Sequence, residues 1–350
     1  MVRSRSYIAT PPGATIREQL DERGMTQKEF SARMNMSEKH ISKLINGDVH
    51  LTPDVAIRLE MVLGIPAQFW NNLESIYREK LEKVRTENEM DEDIKLLKKF
   101  PYKEMVKNGW IESSSRPEDR VINLRKFFEV VSLPLVFQSG IGKIACRRVS
   151  ESEKADFALL TWAQRAKIES RERKTQPINI EKLRSSIPEI RAMTRMDPGI
   201  FCPSLIEILS SCGIALIFLP HIGGSFLHGA SFYDGDRIVI GMTVRGKDAD
   251  KFWFSLFHEF GHILLGHIAQ PNGTSEEDEK AADVFARDTL IPPEKYEMFL
   301  AKGTFSKSTL INFSEILGID VGILIGRLQK EGVLQYNWHN DLKTKYMIGA

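Results

Sequence analysis

Residues 252–267, FWFSLFHEFGHILLGH, constrain the chain most. They contain His258-Glu259-Phe260-Gly261-His262, an H-E-x-x-H pattern. On a helix, positions i and i+4 lie one turn apart on one face. His258 and His262 can therefore aim two imidazoles at one zinc ion. Glu259 sits beside them, where it can take a proton from a metal-bound water. The flanking residues are nearly all apolar, which predicts a buried helix, and buried imidazoles need partners. A metal supplies one. Backbone carbonyls around a plain core helix are the alternative.

A catalytic zinc takes a third protein ligand and leaves a fourth position to water. Downstream of His262, Glu279 and Asp283 form a second i, i+4 pair in EKAADVFA. Glu279 is the candidate third ligand, with Asp278 or Asp283 next in line. Asp283 can bond the far nitrogen of a ligand histidine and fix its tautomer. Carboxylates also suit a helix N-terminus, which accounts for Glu276, Glu277 and Asp278. It does not account for Asp283, which adjoins the apolar run Val284, Phe285, Ala286.

A chain of 350 residues is long enough for two or three domains. Lys+Arg 48 against Asp+Glu 47 leaves a net charge of +1, so any DNA contact must come from a local surface. Cys146, Cys202 and Cys212 form no C-x-x-C pair, which predicts a reducing compartment. The start, MVRSRSYIATPPG, lacks the apolar stretch of a signal peptide, and no apolar run approaches a membrane span. The expectation is a cytoplasmic protein without membrane contact.

The N-terminal region reads as four short helices over 15–23, 27–34, 38–45 and 54–63. Pro11-Pro12-Gly13 reads as a stop before the first, and Gly24 ends it. Thr26 caps the second, with Glu29 three residues on, and Ser37 caps the third. Thr52-Pro53 starts the fourth. Ile16, Leu20, Phe30, Met34, Ile41, Leu44, Ile45, Val55, Leu59 and Leu63 give each helix one buried stripe. The turn Asn35-Met36 makes a helix-turn-helix, with the third helix as recognition helix. Its outward positions are Glu38, Lys39, His40, Ser42, Lys43 and Asn46, groups suited to base edges and phosphates. Ser37 borders this surface, and Gln27 is placed to touch a phosphate. A solvated face of a plain helical interaction module is the alternative.

The stretch MTQKEFSARMNMSEKHISKLINGDVHLTPDVAIRLEMVLGIPAQFWNNLE resembles the helix-turn-helix of HigA-type antitoxins within the Xre/Cro-like repressor class. FSLFHEFGHILLGH followed by EKAADVFARDTLIPP resembles the ImmA/IrrE family of metallopeptidases. Together these regions cover under half of the chain and look like an antitoxin-like regulator fused to a peptidase domain. Members of the peptidase family often carry a second Glu just before the Ala-Asp/Asn pair, where this sequence has Ala281. The family's ligand position is matched here to Glu279, so the ligand is kept.

Residues 73–97 are charge-rich and helical in period, and 102–110 and 117–131 read as two further helices, the second capped near Ser115. Their charges are those of solvated faces, which predicts a spacer or docking surface. Helices follow over 156–168, 180–194 and 203–212, then β-like runs over 214–219, 229–233 and 237–242, the last two joined by Asp234-Gly235-Asp236. An edge strand of such a sheet can pair with an extended peptide. Arg245 reads as support for the H-E-x-x-H helix. His267, five residues past His262, falls on the wrong face for a ligand and reads as structural. His221, His228 and His339 carry no assignment. Ser308 reads as the cap of a helix to Leu317. With a helix over 321–330 it resembles a second helix-turn-helix, whose apolar faces suit packing on the core better.

The fold class expected is α+β, mainly α. An all-α helix-turn-helix domain spans 1–75 and a helical spacer 76–150. A zincin-like domain with a small β-sheet and an HExxH helix spans 151–350. The resemblance implies a DNA-binding regulator carrying a zinc-dependent peptidase, with His258, His262 and Glu279 on zinc and Glu259 as general base. Its substrate would be a repressor or partner protein. The other reading is an antitoxin that represses its own operon and neutralises a toxin, the zinc domain being structural or latent. Both imply a homodimer on an inverted-repeat operator.

Overall fold

The computed structural model describes residues 2–4, 6–88, 90–138, 153–223, 228–243, 248–270 and 274–346. Cys146 and Arg245 lie outside them. The chain forms two compact units, Met1–Lys95 and Leu96–Ala350.

The first unit holds β1 (Val2–Arg3) and β2 (Ile8–Ala9), then α1 (Gly13–Glu22), α2 (Gln27–Arg33), α3 (Glu38–Asn46), α4 (Pro53–Leu63) and α5 (Ala67–Asn88). All ten residues of the expected stripes are buried, with Leu51, Ala56 and Trp70 beside them. Pro11-Pro12-Gly13 opens α1 rather than stopping the chain before it. Proline has no N–H to leave unsatisfied at a helix start. Gly13 lets the helix meet α3, since a Cβ there would lie 1.9 Å from the Ile45 carbonyl oxygen. The β1–β2 ladder is tied to α5 through Glu87, which accepts from Ser6 N–H at 3.1 Å and Ser6 Oγ at 2.8 Å.

After α6 (Asp91–Leu96), the second unit contains α7 (Tyr102–Lys107), α8 (Pro117–Phe128), α9 (Glu153–Ser170), α10 (Ile180–Ala192), α11 (Pro198–Ser211), β3 (Ile214–Phe218), β4 (Gly229–Asp234) and β5 (Arg237–Met242). It continues with α12 (Ala249–Leu264), α13 (Glu276–Leu290), α14 (Pro293–Ala301), α15 (Lys307–Leu317) and α16 (Val321–Lys330). The segment expected as a spacer is divided between the units. Part of it, α5, belongs to the first, while Tyr102, Met105, Leu124, Phe127 and Phe128 of α7 and α8 pack with Phe157 and Trp162 of α9. Most of the charges there lie on the outer faces, although Glu118 of α8 is buried. Helix α8 ends at Phe128, earlier than expected, with Glu129 in the left-handed region as its C-cap and no side-chain cap at Arg116.

The sheet order is β3-β5-β4, with β3 parallel and β4 antiparallel to β5. Gly235 has φ +63° in the hairpin turn, a conformation that suits glycine. Alternation gives the sheet two covered faces. Ile238, Ile240 and Met242 meet α12, while Val239 and Phe232 meet α9. Gly241 admits the Trp162 ring, which would lie 2.5 Å from a Cβ.

Two helix starts differ from the periodicity. Helix α11 begins at Pro198, not Pro203, because Asp197 caps it through Gly199 N–H at 2.8 Å and proline fills its first turn. Ser306, not Ser308, caps α15. Helices α15 and α16 bend by 112° and place Leu310, Leu317, Leu324 and Leu328 in the core. No single helix among the described residues is long and apolar enough to cross a membrane.

Candidate nucleic-acid interface and metal centre

Local chemistry sets the first site. Thr26 Oγ1 accepts from Glu29 N–H at 3.2 Å and Ser37 Oγ from His40 N–H at 3.2 Å, so both helices of the motif are capped. Between them Asn35 takes φ +51°. Gly47, at φ +80°, ends α3 in the left-handed region. Helix α3 buries Ile41, Leu44 and Ile45. Its other side exposes Glu38, Lys39, Lys43 and Asn46, with His40 and Ser42 half-buried between them and Gln27 exposed on α2. The α3 residues singled out for DNA therefore lie off its buried side, and Ser37 also serves as the cap.

The second site is assembled from distant elements. Helix α12 presents His258 and His262, and α13 presents Glu279 and Asp283. The two helices approach closely at Gly261, where a Cβ would lie 2.9 Å from Ala282 Cα. His258 Nε2 and His262 Nε2 are 2.9 Å apart. Glu279 faces both, with Oε2 3.3 Å from His258 and Oε1 3.4 Å from His262. Thr274 Oγ1 donates to Glu279 Oε1 at 2.9 Å.

Each histidine has an outer partner. His258 Nδ1 is 2.8 Å from Asp283 Oδ1, and Lys330 Nζ is 3.4 Å from the other oxygen of Asp283. His262 Nδ1 is 3.1 Å from His267 Nδ1, and His267 Nε2 is 3.3 Å from Asp278 Oδ1. Ionised carboxylates only accept, so these networks assign the hydrogens to the outer nitrogens. Two inner lone pairs then face each other beside a carboxylate, an arrangement that needs a cation between them. A proton can fill that role. Burial alone would depress the His258 imidazolium, but its bonds to Asp283 and Glu279 and the charge of Glu259 push its pKa up to about 9. Burial also acts against ionised Asp283, yet His258 and Lys330 hold its carboxyl below the usual range.

A metal ion can fill the same role. His258, His262 and Glu279 offer one donor atom each, all within 4.8 Å of one another. Two imidazoles and a carboxylate are a donor set suited to zinc. The residues present fit such an ion. Glu259 stays outside the donor set, buried, with one oxygen accepting from Ser231 Oγ at 2.6 Å. Ser231 lies on edge strand β4, between Ala230 and Phe232, which face α9, so alternation turns it towards α12. Sequence reasoning did not single out Ser231, Gly261 or Lys330. Only strand alternation could have pointed to Ser231, and only once the pairing was known. A cavity of about 960 Å³ lies beside Asp283, lined also by His228, Phe254, Arg287 and Lys330.

Residues 16–70 match the helix-turn-helix family model. Over 66 residues the chain is 38% identical to a protein of Escherichia coli (strain K12) named as the uncharacterized HTH-type transcriptional regulator YddM. That match spans 19% of this chain and 70% of the relative. The family model covers the capped motif built around α2 and α3, and the chain belongs to the family of helix-turn-helix transcriptional regulators.

Proposed function

We propose that this regulator is of antitoxin type and that its second unit is a zinc-dependent peptidase of the ImmA/IrrE kind, acting on a regulatory partner protein. One observation carries the reading: two imidazoles, each with its Nδ1 against an outer partner, converge through their Nε2 atoms on Glu279, while Glu259 on the same helix is kept apart from them. His258, His262 and Glu279 would hold the ion. When bound, zinc supplies Lewis acidity to a water and to the scissile carbonyl. Glu259 takes the proton from the attacking water on its carboxylate, oriented by Ser231. Asp283 orients His258 from outside. The edge strand β4 offers backbone groups to an extended substrate. The first unit, as a homodimer, would set two α3 helices on an inverted repeat.

A second reading is a HigA-like antitoxin that represses its operon and neutralises a toxin, with a structural or latent zinc domain. The complete capped motif, independent of the metal residues, is compatible with it. Glu259→Gln separates the two. In cells carrying the neighbouring genes, the peptidase reading expects a full-length partner protein to accumulate, cleavage falling about a hundredfold or more. Unchanged products and unchanged operon transcription would sink it.

A further inference from the structure

This inference rests on the metal-centre reading and concerns the side of the centre away from Asp283. Five residues past His262, a continued helix would carry His267 about 140° around the axis, away from it. The helix does not continue. Gly266 takes φ +79°, and His267 opens a separate 3-10 turn, His267–Ala269. This reversal brings the His267 ring back against His262, with centroids 5.2 Å apart. Both rings are buried, at 4% and 6% exposure.

We infer that His267 is a positioning residue for His262, which with Asp278 behind it fixes the tautomer that leaves His262 Nε2 facing Glu279. Asp278 Oδ2 accepts from Ser275 N–H at 2.8 Å, in the capping box of α13. Its Oδ1 faces His267 Nε2 at 3.3 Å. The negative carboxylate at this ion-pair distance favours a hydrogen on the nitrogen that faces it, His267 Nε2. A neutral imidazole then accepts at Nδ1. The atom 3.1 Å away is His262 Nδ1, which must therefore donate. A neutral ring that donates at Nδ1 has its lone pair at Nε2, the atom turned to the centre. His258 reaches the same tautomer in one step through Asp283. His262 reaches it in two, through a buried ring anchored to the cap of the helix that carries Glu279.

The test compares two substitutions. Glutamine can replace both ring functions of His267, since its amide oxygen accepts and its amide nitrogen donates. Phenylalanine keeps the ring and neither function. Asp278 is left alone because it also caps α13. Zinc affinity is measured by chelator competition on the full chain, with thermal midpoints of the metal-free forms as a folding control. His267→Phe should weaken zinc about 10- to 100-fold, while His267→Gln stays within about threefold of the wild type. Wild-type affinity in a folded His267→Phe would overturn the inference, as would equal losses in both variants. Should the Phe form not fold, nitrogen-15 spectra of the zinc-loaded wild type decide. A slowly exchanging hydrogen on His262 Nδ1 supports the relay, and a metal-bound Nδ1 overturns it. A wild-type chain that binds no zinc at all defeats the metal-centre reading itself.

Discussion

The candidate recognition surface and the proposed metal centre are built by opposite means. Helix α3 carries the side chains proposed to meet DNA away from its anchors, Ile41, Leu44 and Ile45. Its caps lie within the motif itself. The proposed metal centre takes side chains from β4, α12, a 3-10 turn, α13 and α16, and several are buried. Its geometry depends on backbone approach, above all at Gly261 against Ala282. A surface site can lose a side chain and keep its fold. A convergent site links fold, charge and function, so substitutions there should register in stability as well as in binding.

The largest expected contrast is with pH. His258 has a folded pKa raised to about 9 from the ordinary 6.5. In the metal-free chain its stabilising contribution is complete below pH 6.5 and is lost as pH rises through 9. The loss is on the order of 3 kcal/mol. Denaturant melts of the second unit should show it, and saturating zinc, which replaces the proton, should abolish it. A pH-independent melt across that window would remove the cation requirement.

Gly261→Ala comes next. The added methyl meets the backbone of α13, and overpacking of this kind costs about 1–3 kcal/mol. It should also lower zinc affinity by moving Glu279 from the histidines, while operator binding is untouched. Thermal unfolding with metal titration checks both.

The smallest effect is on the surface side. Lys39→Ala with Lys43→Ala should leave stability unchanged and weaken operator binding about tenfold. If each lysine meets a phosphate, the slope of log affinity against log salt falls by roughly 2. Gel shifts across salt concentrations read it, and an unchanged slope would remove this face from the DNA surface.

The same contrast explains what the sequence made legible. Caps, glycine stops and apolar stripes are local signals, so the helix-turn-helix could be read almost residue by residue from Thr26, Ser37 and Thr52. The spacing of His258, Glu259 and His262 is also local, and a second i, i+4 pair exposed Glu279 and Asp283. Ser231 carried no signal, because its role depends on strand pairing. Helical periodicity turns His267 away from His262, and the positive φ of Gly266 brings its ring back, still outside the donor set. Charge patterns in α7 and α8 revealed their outer faces, whereas their burial depends on α9, met only later in the chain.

The central claim is that His258, His262 and Glu279 form one metal centre. Metal analysis of the purified full chain tests it most directly, beside His262→Ala, Glu279→Ala and Glu259→Gln. The account predicts about one zinc per chain in the wild type and in Glu259→Gln, with loss in the two donor variants. A wild type without divalent metal after growth in zinc, or full occupancy in both donor variants, would contradict it.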